Sequence, residues 1–306
     1  MKKECDCTVS KCYLCPRSCG TERDGGRLGV CHAPSEFTVA KTMLHQWEEP
    51  CLVRDGGAGT IFFSGCNLGC VFCQNRAISR DGCGEIMSEG ELDGTIFSLI
   101  EHGASCIEFV TPTHYTAKLA SLLCRIKGDI PVPVVWNSGG YESVESLRLL
   151  DGLIDIYMPD FKYFSPELSK KYSNAEDYAA VAIGALKEQL RQVGKPQYGD
   201  GGMLLRGVIV RHLILPSHRA DSVGVLELIA NEVGAENVIL SLMGQYTPDF
   251  YIEHEKEHGK NETCKNLRRR LTSFEYDSVL SRAIELGFDG YFQSLDSASK
   301  KFTPDF

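Results

Sequence analysis

The sequence predicts an α/β chain, a partial TIM-type (β/α)6 barrel over residues 51–306 behind a small cysteine-rich metal-binding module over residues 1–50. Three observations carry this. From Thr60 onward, short apolar runs alternate with longer helical stretches, the pattern of βα units in a parallel sheet. Several of those runs are apolar at nearly every position, as strands covered on both faces must be. Before them, six of the fourteen cysteines fall within the first 31 residues, where no such alternation exists.

The predicted strands are Thr60–Ser64, Cys106–Val110, Val132–Trp136, Ile154–Met158, Gly207–Leu215, Val238–Leu242 and a weaker Gly290–Gln293. The helices between them are Glu89–Glu101, Thr116–Lys127, Ser143–Leu150, Ala175–Val193, Ser222–Val233 and Phe274–Leu286. Each helix is placed to make the usual right-handed crossover. Ligands of such folds sit at the C-terminal ends of the strands, so the residues just after each run are the place to look. The glycine-rich stretch Gly194–Gly202 reads as a loop, and the charged segment Thr247–Leu271 as a flap or insertion.

Apolar residues make up 43% of the chain, enough for a large core. The formal charge of −9 argues against nucleic acid as a partner. Arg268, Arg269 and Arg270 read as a solvated face or an internal ion-pair site. No apolar run reaches 18 residues, so no membrane span is expected. The polar start of the chain lacks a secretory h-region, and the expected location is cytoplasmic. There, fourteen cysteines point to metal or redox chemistry rather than disulfides. Cys106, Cys124 and Cys264 stand alone and read as small buried apolar residues.

The main motif is Cys66-Asn67-Leu68-Gly69-Cys70-Val71-Phe72-Cys73, a C-x3-C-x2-C loop directly after the first predicted strand. Three thiolates in one loop suit three irons of a [4Fe–4S] cluster and leave the fourth iron open to an external ligand. Structural zinc sites close with four ligands, so three cysteines fit zinc less well. An iron open to ligands is also open to oxidants, so the chemistry is expected to be anaerobic.

This spacing is the signature of the radical S-adenosylmethionine (SAM) superfamily. The longer stretch Ser64 to Asn75 resembles the relatives of pyruvate formate-lyase activating enzyme, in particular the PflX-type branch. So do Cys12 to Gly20, Glu48-Glu49-Pro50-Cys51, Phe109 to His114, Asp155 to Tyr163, Val210 to Leu213 and Ser241 to Tyr246. The resemblance implies a partial (β/α)6 barrel, one [4Fe–4S] cluster, SAM, and an oxidoreductase that generates a 5′-deoxyadenosyl radical. It also implies a flavodoxin- or ferredoxin-like electron donor and, for the best-known relatives, a glycyl radical enzyme as protein substrate. The relatives' glycine-rich segment after the second barrel strand is replaced here by Thr111-Pro112-Thr113. Thr111 and Thr113 offer hydroxyls and carbonyls for the same hydrogen bonds. Asn137 and Ser138 are expected to meet the ribose or methionine part of SAM. Asp160 and Lys162 resemble an Asp-x-Lys pair for its amino and carboxylate groups. Arg211 offers a planar fork for a carboxylate. Gln245 and Tyr246 fall at a further expected contact, and His114 and His212 are weaker candidates.

Cys12, Cys15, Cys19 and Cys31 follow C-x2-C-x3-C-x11-C. Four thiolates can close one site for zinc or for a second iron–sulfur cluster, and a structural role is the expectation. Cys5, Cys7 and Cys51 leave the ligand set open. The competing readings are an activase for a glycyl radical enzyme, a radical SAM enzyme acting on a small molecule, peptide or RNA, and a non-catalytic iron–sulfur carrier. A carrier has no use for the set Asp160, Lys162 and Arg211.

Overall fold

A computed structural model describes residues 11–259 and 261–293; Cys5 and Cys7 lie outside them. The strands are β1 (Phe37–His45), β2 (Ala58–Phe63), β3 (Glu85–Met87), β4 (Ile107–Val110), β5 (Val134–Ser138), β6 (Ile156–Pro159), β7 (Gln197–Tyr198), β8 (Leu204–Leu213), β9 (Ile239–Met243) and β10 (Asp289–Phe292). The helices are α1 (Arg76–Ser79), α2 (Glu89–Glu101), α3 (Thr116–Ile126), α4 (Val144–Arg148), α5 (Pro166–Ser173), α6 (Tyr178–Val193), α7 (Arg219–Val233), α8 (Asp249–His258) and α9 (Ser273–Glu285).

The sheet runs in the order β10-β9-β8-β6-β5-β4-β2-β1-β3, with β7 pairing on β8. From β10 through β2 every neighbour is parallel. β1 then pairs antiparallel with β2, and β3 antiparallel with β1. The order has two ends, β10 and β3, so the sheet does not close on itself. The fold is therefore mixed α/β with a mostly parallel sheet, as expected. Every residue of β2, β4, β5 and β6 is buried, which is why these strands read as mostly apolar runs.

Alternate strand residues face the helices and the barrel interior. Phe109, Trp136, Tyr157, Val210 and Leu240 belong to the large core under the helices. Ala58, Cys106, Val135, Ile156, Ile209 and Ile239 form a separate apolar cluster, plugged by Cys51 and Leu52. Further along the same inward rows come Asn137, Asp160 and Arg211. The interior is thus apolar at the N-terminal ends of the strands and polar at the C-terminal ends, where a ligand site belongs.

The structure departs from expectation in four places. The irregular module ends near Glu36, not residue 50, because Phe37–His45 is a strand of the main sheet. The helix expected at Ala175–Val193 is α6, and a helix that was not expected, α5, precedes it. Ser165 caps α5 by accepting from the Leu168 N–H, Pro166 takes the first helical position, and Asn174 ends α5 in a left-handed conformation. The segment Thr247–Leu271 holds α8 and a 3-10 stretch, Glu262–Arg268. Its arginines are used in ion pairs: Arg268 meets Glu255 and Glu262, and Arg269 meets Glu275. Cys106 and Cys264 are buried as expected, but Cys124 is exposed. Among the described residues no helix is long and apolar enough to cross a membrane.

Candidate cluster and cofactor site

β2 ends at Phe63, and the loop that follows carries Cys66, Cys70 and Cys73 before α1 begins at Arg76. The loop is pinned from several sides. The Cys66 N–H donates to the Cys31 carbonyl at 3.0 Å, and the Val71 N–H to the Tyr172 carbonyl at 3.0 Å. Asn67 Nδ2 donates to the Tyr141 carbonyl at 2.7 Å, and Arg17 Nε to the Asn67 carbonyl at 2.8 Å. Gly69 has φ +66° and lies against the Arg80 guanidinium, which occupies the space a Cβ would need. A glycine there satisfies both the backbone turn and the close approach.

The three cysteines line one cavity of about 210 Å³ together with Asn137, Asp160, Lys162 and Arg211. Their sulfurs accept hydrogen bonds: Ser173 Oγ donates to Cys70 Sγ at 2.9 Å, Ser79 Oγ to Cys73 Sγ at 3.5 Å and the Leu68 N–H to Cys66 Sγ at 3.4 Å. Such bonds orient metal ligands and tune cluster potentials. Burial pushes the Cys73 thiol up to about 11, with Cys70 adding to the effect. Burial also raises Cys70, against the opposing pull of the Lys162 ammonium. Among the described residues no three His, Cys, Asp or Glu side chains converge tightly enough to share one metal ion. A four-iron cluster gives each thiolate its own iron, so its ligands stand further apart than those of a single ion.

The opposite wall is an ion network. Lys162 Nζ meets Asp160 Oδ2 at 2.5 Å, and Arg211 Nε meets Asp160 Oδ1 at 3.0 Å. Arg211 Nη2 also donates to Asn137 Oδ1 at 2.8 Å, while Asn137 Nδ2 donates to Glu108 Oε1 at 2.6 Å. Burial alone would raise the Asp160 carboxyl, but Lys162 and Arg211 outweigh it and hold it below its ordinary value. Burial would lower Lys162, but Asp160 raises it instead, so it stays charged. Glu108 is the reverse case. Burial first, then its neighbour Glu48, raise it well above the carboxylate range, and it keeps its proton.

The structure brings Thr111, Asn137, Ser138, Asp160, Lys162, Arg211, Gln245 and Tyr246 to the cavity wall. It does not bring Thr113 there. The Thr113 hydroxyl is buried and donates to Glu142 Oε1 at 3.1 Å, and the Ser138 hydroxyl is engaged by Glu142 Oε2 at 2.7 Å. The Tyr246 hydroxyl donates to the Leu267 carbonyl at 2.7 Å, so its ring rather than its oxygen faces the cavity. His114 and His212 are core histidines. Burial lowers them to about 3 and about 4, and each bonds a backbone carbonyl, of Ser64 and Phe161 respectively. Sequence reasoning missed Ser173 and Arg17, which act across long sequence separations, and Ser79, which acts from six residues past Cys73. It also missed Glu108, whose signal was present: a lone carboxylate inside the apolar run Cys106–Val110.

Residues 60–214 match the radical SAM superfamily, and that span begins in β2 and ends just after β8. The chain belongs to the radical SAM superfamily. An uncharacterized protein of Methanocaldococcus jannaschii is 28% identical over 287 residues, 91% of this chain and 75% of that protein. A radical SAM domain implies a [4Fe–4S] cluster and SAM. The donor set fits both groups. Three thiols on one wall leave one cluster corner without a protein ligand, and the facing wall holds cations and an acid matched to the zwitterionic end of methionine.

Proposed function

We propose that Cys66, Cys70 and Cys73 hold the [4Fe–4S] cluster of a SAM-cleaving enzyme and that the facing wall binds SAM. One observation carries the reading: the three thiols and the network Asp160, Lys162, Arg211 and Asn137 line the same cavity. When bound and reduced, the cluster would supply one electron to the sulfonium of SAM, whose C–S bond would break to give methionine and a 5′-deoxyadenosyl radical able to take a hydrogen atom from substrate. Lys162 and Arg211 then offer cations to the methionine carboxylate, and Asp160 accepts from the amino group or the ribose. Asn137 and Ser138 bound the ribose side, beside the Thr111 backbone. The apolar plug at the N-terminal ends keeps water from that end of the barrel. The residues Cys12, Cys15, Cys19 and Cys31 hold a metal centre of their own.

For the hydrogen donor, the reading supported best is a backbone segment of a partner protein, as in glycyl radical activation. A second cleft of about 770 Å³ opens between His45–Pro50 and Gly290–Gln293. It shares Asn137, Arg211, Met243 and Gln245 with the first cavity, so an extended segment entering from the side reaches the reacting centre. A second reading is favoured by Glu48 and Glu49 on that cleft: a small molecule or peptide with a cationic group. The test is anaerobic incubation of the reconstituted, dithionite-reduced protein with SAM. The expected result is 5′-deoxyadenosine, and its absence from a fully loaded protein sinks the enzyme reading. Electron paramagnetic resonance after mixing with candidate glycyl radical enzymes then separates the two substrates. A glycyl radical supports the first, and 5′-deoxyadenosine coupled only to a cationic compound supports the second.

A further inference from the structure

We infer that Cys12, Cys15, Cys19 and Cys31 carry a second iron–sulfur cluster that serves as the electron entry to the centre on Cys66, Cys70 and Cys73. This rests on the reading that the latter is a SAM-cleaving cluster.

The first support is the site itself. A C-x2-C-x3-C-x11-C set is brought into one small module by backbone bonds that fold it on itself. The Cys12 N–H donates to the Thr21 carbonyl at 2.9 Å, the Gly20 N–H to the Cys12 carbonyl at 3.0 Å and the Ser18 N–H to the Cys15 carbonyl at 3.0 Å. Cys15 and Cys31 are buried, within electrostatic reach of each other and of Cys12, and Cys19 lies within reach of Cys31. Thr21 Oγ1 donates to Cys19 Sγ at 3.3 Å, the kind of bond that tunes a cluster thiolate. Four thiols in one module suit zinc or an iron–sulfur cluster alike, and the wiring and exposure of the module favour the cluster.

The second support is the wiring between the two sets. The carbonyl of Cys31 accepts directly from the N–H of Cys66, so one hydrogen bond joins a ligand of each centre. That approach requires Gly65, at φ +92°, where a Cβ would stand 2.7 Å from the Cys31 oxygen. Arg17, between Cys15 and Cys19 in sequence, donates to the carbonyls of Asn67, Ser173 and Asn174. Ser173 in turn donates to Cys70 Sγ. A merely structural metal needs neither bridge.

The third support is exposure. Cys70 and Cys73 face the interior cavity, whereas Cys19 is exposed, in a module that also exposes Tyr13 and Leu28, each 57% accessible. Residues 11–31 hold four basic against two acidic side chains in a chain whose net charge is −9. An acidic one-electron carrier of the flavodoxin or ferredoxin class is therefore drawn to this end. The donor loses one electron, the N-terminal centre gains and passes it on, and the C–S cleavage consumes it. No atom is transferred in the relay.

The test uses the full chain reconstituted anaerobically with iron and sulfide. Iron, sulfide and zinc are counted, and Mössbauer spectra are recorded. The wild type is expected to hold about eight irons and the triple variant Cys66→Ala, Cys70→Ala, Cys73→Ala about four, still as a cluster. A double variant, Cys12→Ala with Cys19→Ala, is expected to keep dithionite-driven SAM cleavage and lose cleavage driven by photoreduced flavodoxin. Zinc in place of iron in the triple variant, or no metal there, overturns the inference and leaves the proposed function intact. Equal flavodoxin-driven cleavage by wild type and double variant overturns the relay. A wild type whose iron all survives in the triple variant overturns the proposed function instead.

Discussion

At the scale of single residues, the site is a charge balance around Arg211. Its Nε reaches Asp160 while one terminal nitrogen reaches Asn137 and the other stands 3.8 Å from Glu48. Lysine has the charge but not the planar fork and cannot span these partners. Arg211→Lys is therefore expected to weaken SAM binding about tenfold, the equivalent of about 1.4 kcal/mol, with iron content unchanged. Equilibrium binding to the cluster-loaded variant checks this. Glu108 makes a pH prediction. The unfolded chain releases this proton above about pH 4.3, whereas the fold keeps it because burial and Glu48 raise the native value. The unfolded state then binds fewer protons, so stability falls as pH rises from that point toward the native value. Glu108→Gln keeps a donor and an acceptor but has no proton to hold. Its stability relative to wild type is expected to grow from mildly acid to mildly alkaline pH in denaturant titrations. A constant difference would show that Glu108 is ionised in the fold.

At the scale of elements, strands were more legible than their neighbours. Parallel strands buried on both faces leave long apolar runs, and β4, β5, β6 and β9 lie close to where those runs put them. β1 was missed because its sequence, FTVAKTMLH, is interrupted by Lys41 and follows the cysteine module, and its pairing with β2 is antiparallel. Helix α5 was missed because it is short and polar, PELSKKYS, and ends at the left-handed residue Asn174. The cysteine loop, named by its spacing, and Asp160, Lys162 and Arg211, named by the family resemblance, come together on one cavity. Glu48 and Ser173 were not legible as site residues, since their roles arise only when distant segments meet. Helix α8 is held by another such meeting. Its Phe250 lines the cavity, and Arg76, just past the cysteine loop, clasps its far end by donating to His254 Nδ1 at 2.6 Å and pairing with Glu257 at 2.7 Å. Burial lowers His254, which keeps the ring neutral and able to accept. Arg76→Ala is expected to speed hydrogen exchange across 249–258 while costing at most about 1 kcal/mol of global stability, since Glu257 is largely exposed. Unchanged exchange there would mean that α8 is held by its apolar contacts alone.

At the scale of the molecule, the mostly parallel sheet separates apolar from polar surroundings along its strands. The N-terminal ends of the strands are closed by apolar packing. The C-terminal ends carry the ion network and face the cysteine loop. A second cleft lies between His45–Pro50 and Gly290–Gln293, and the cysteine module sits against the Cys66–Cys73 loop. The most direct test of this arrangement compares wild type with Cys70→Ala, each reconstituted, reduced with dithionite and given SAM without oxygen. The account predicts 5′-deoxyadenosine from wild type, and none from the variant together with loss of the cluster absorbance that loop contributes. Equal 5′-deoxyadenosine from both proteins would contradict it.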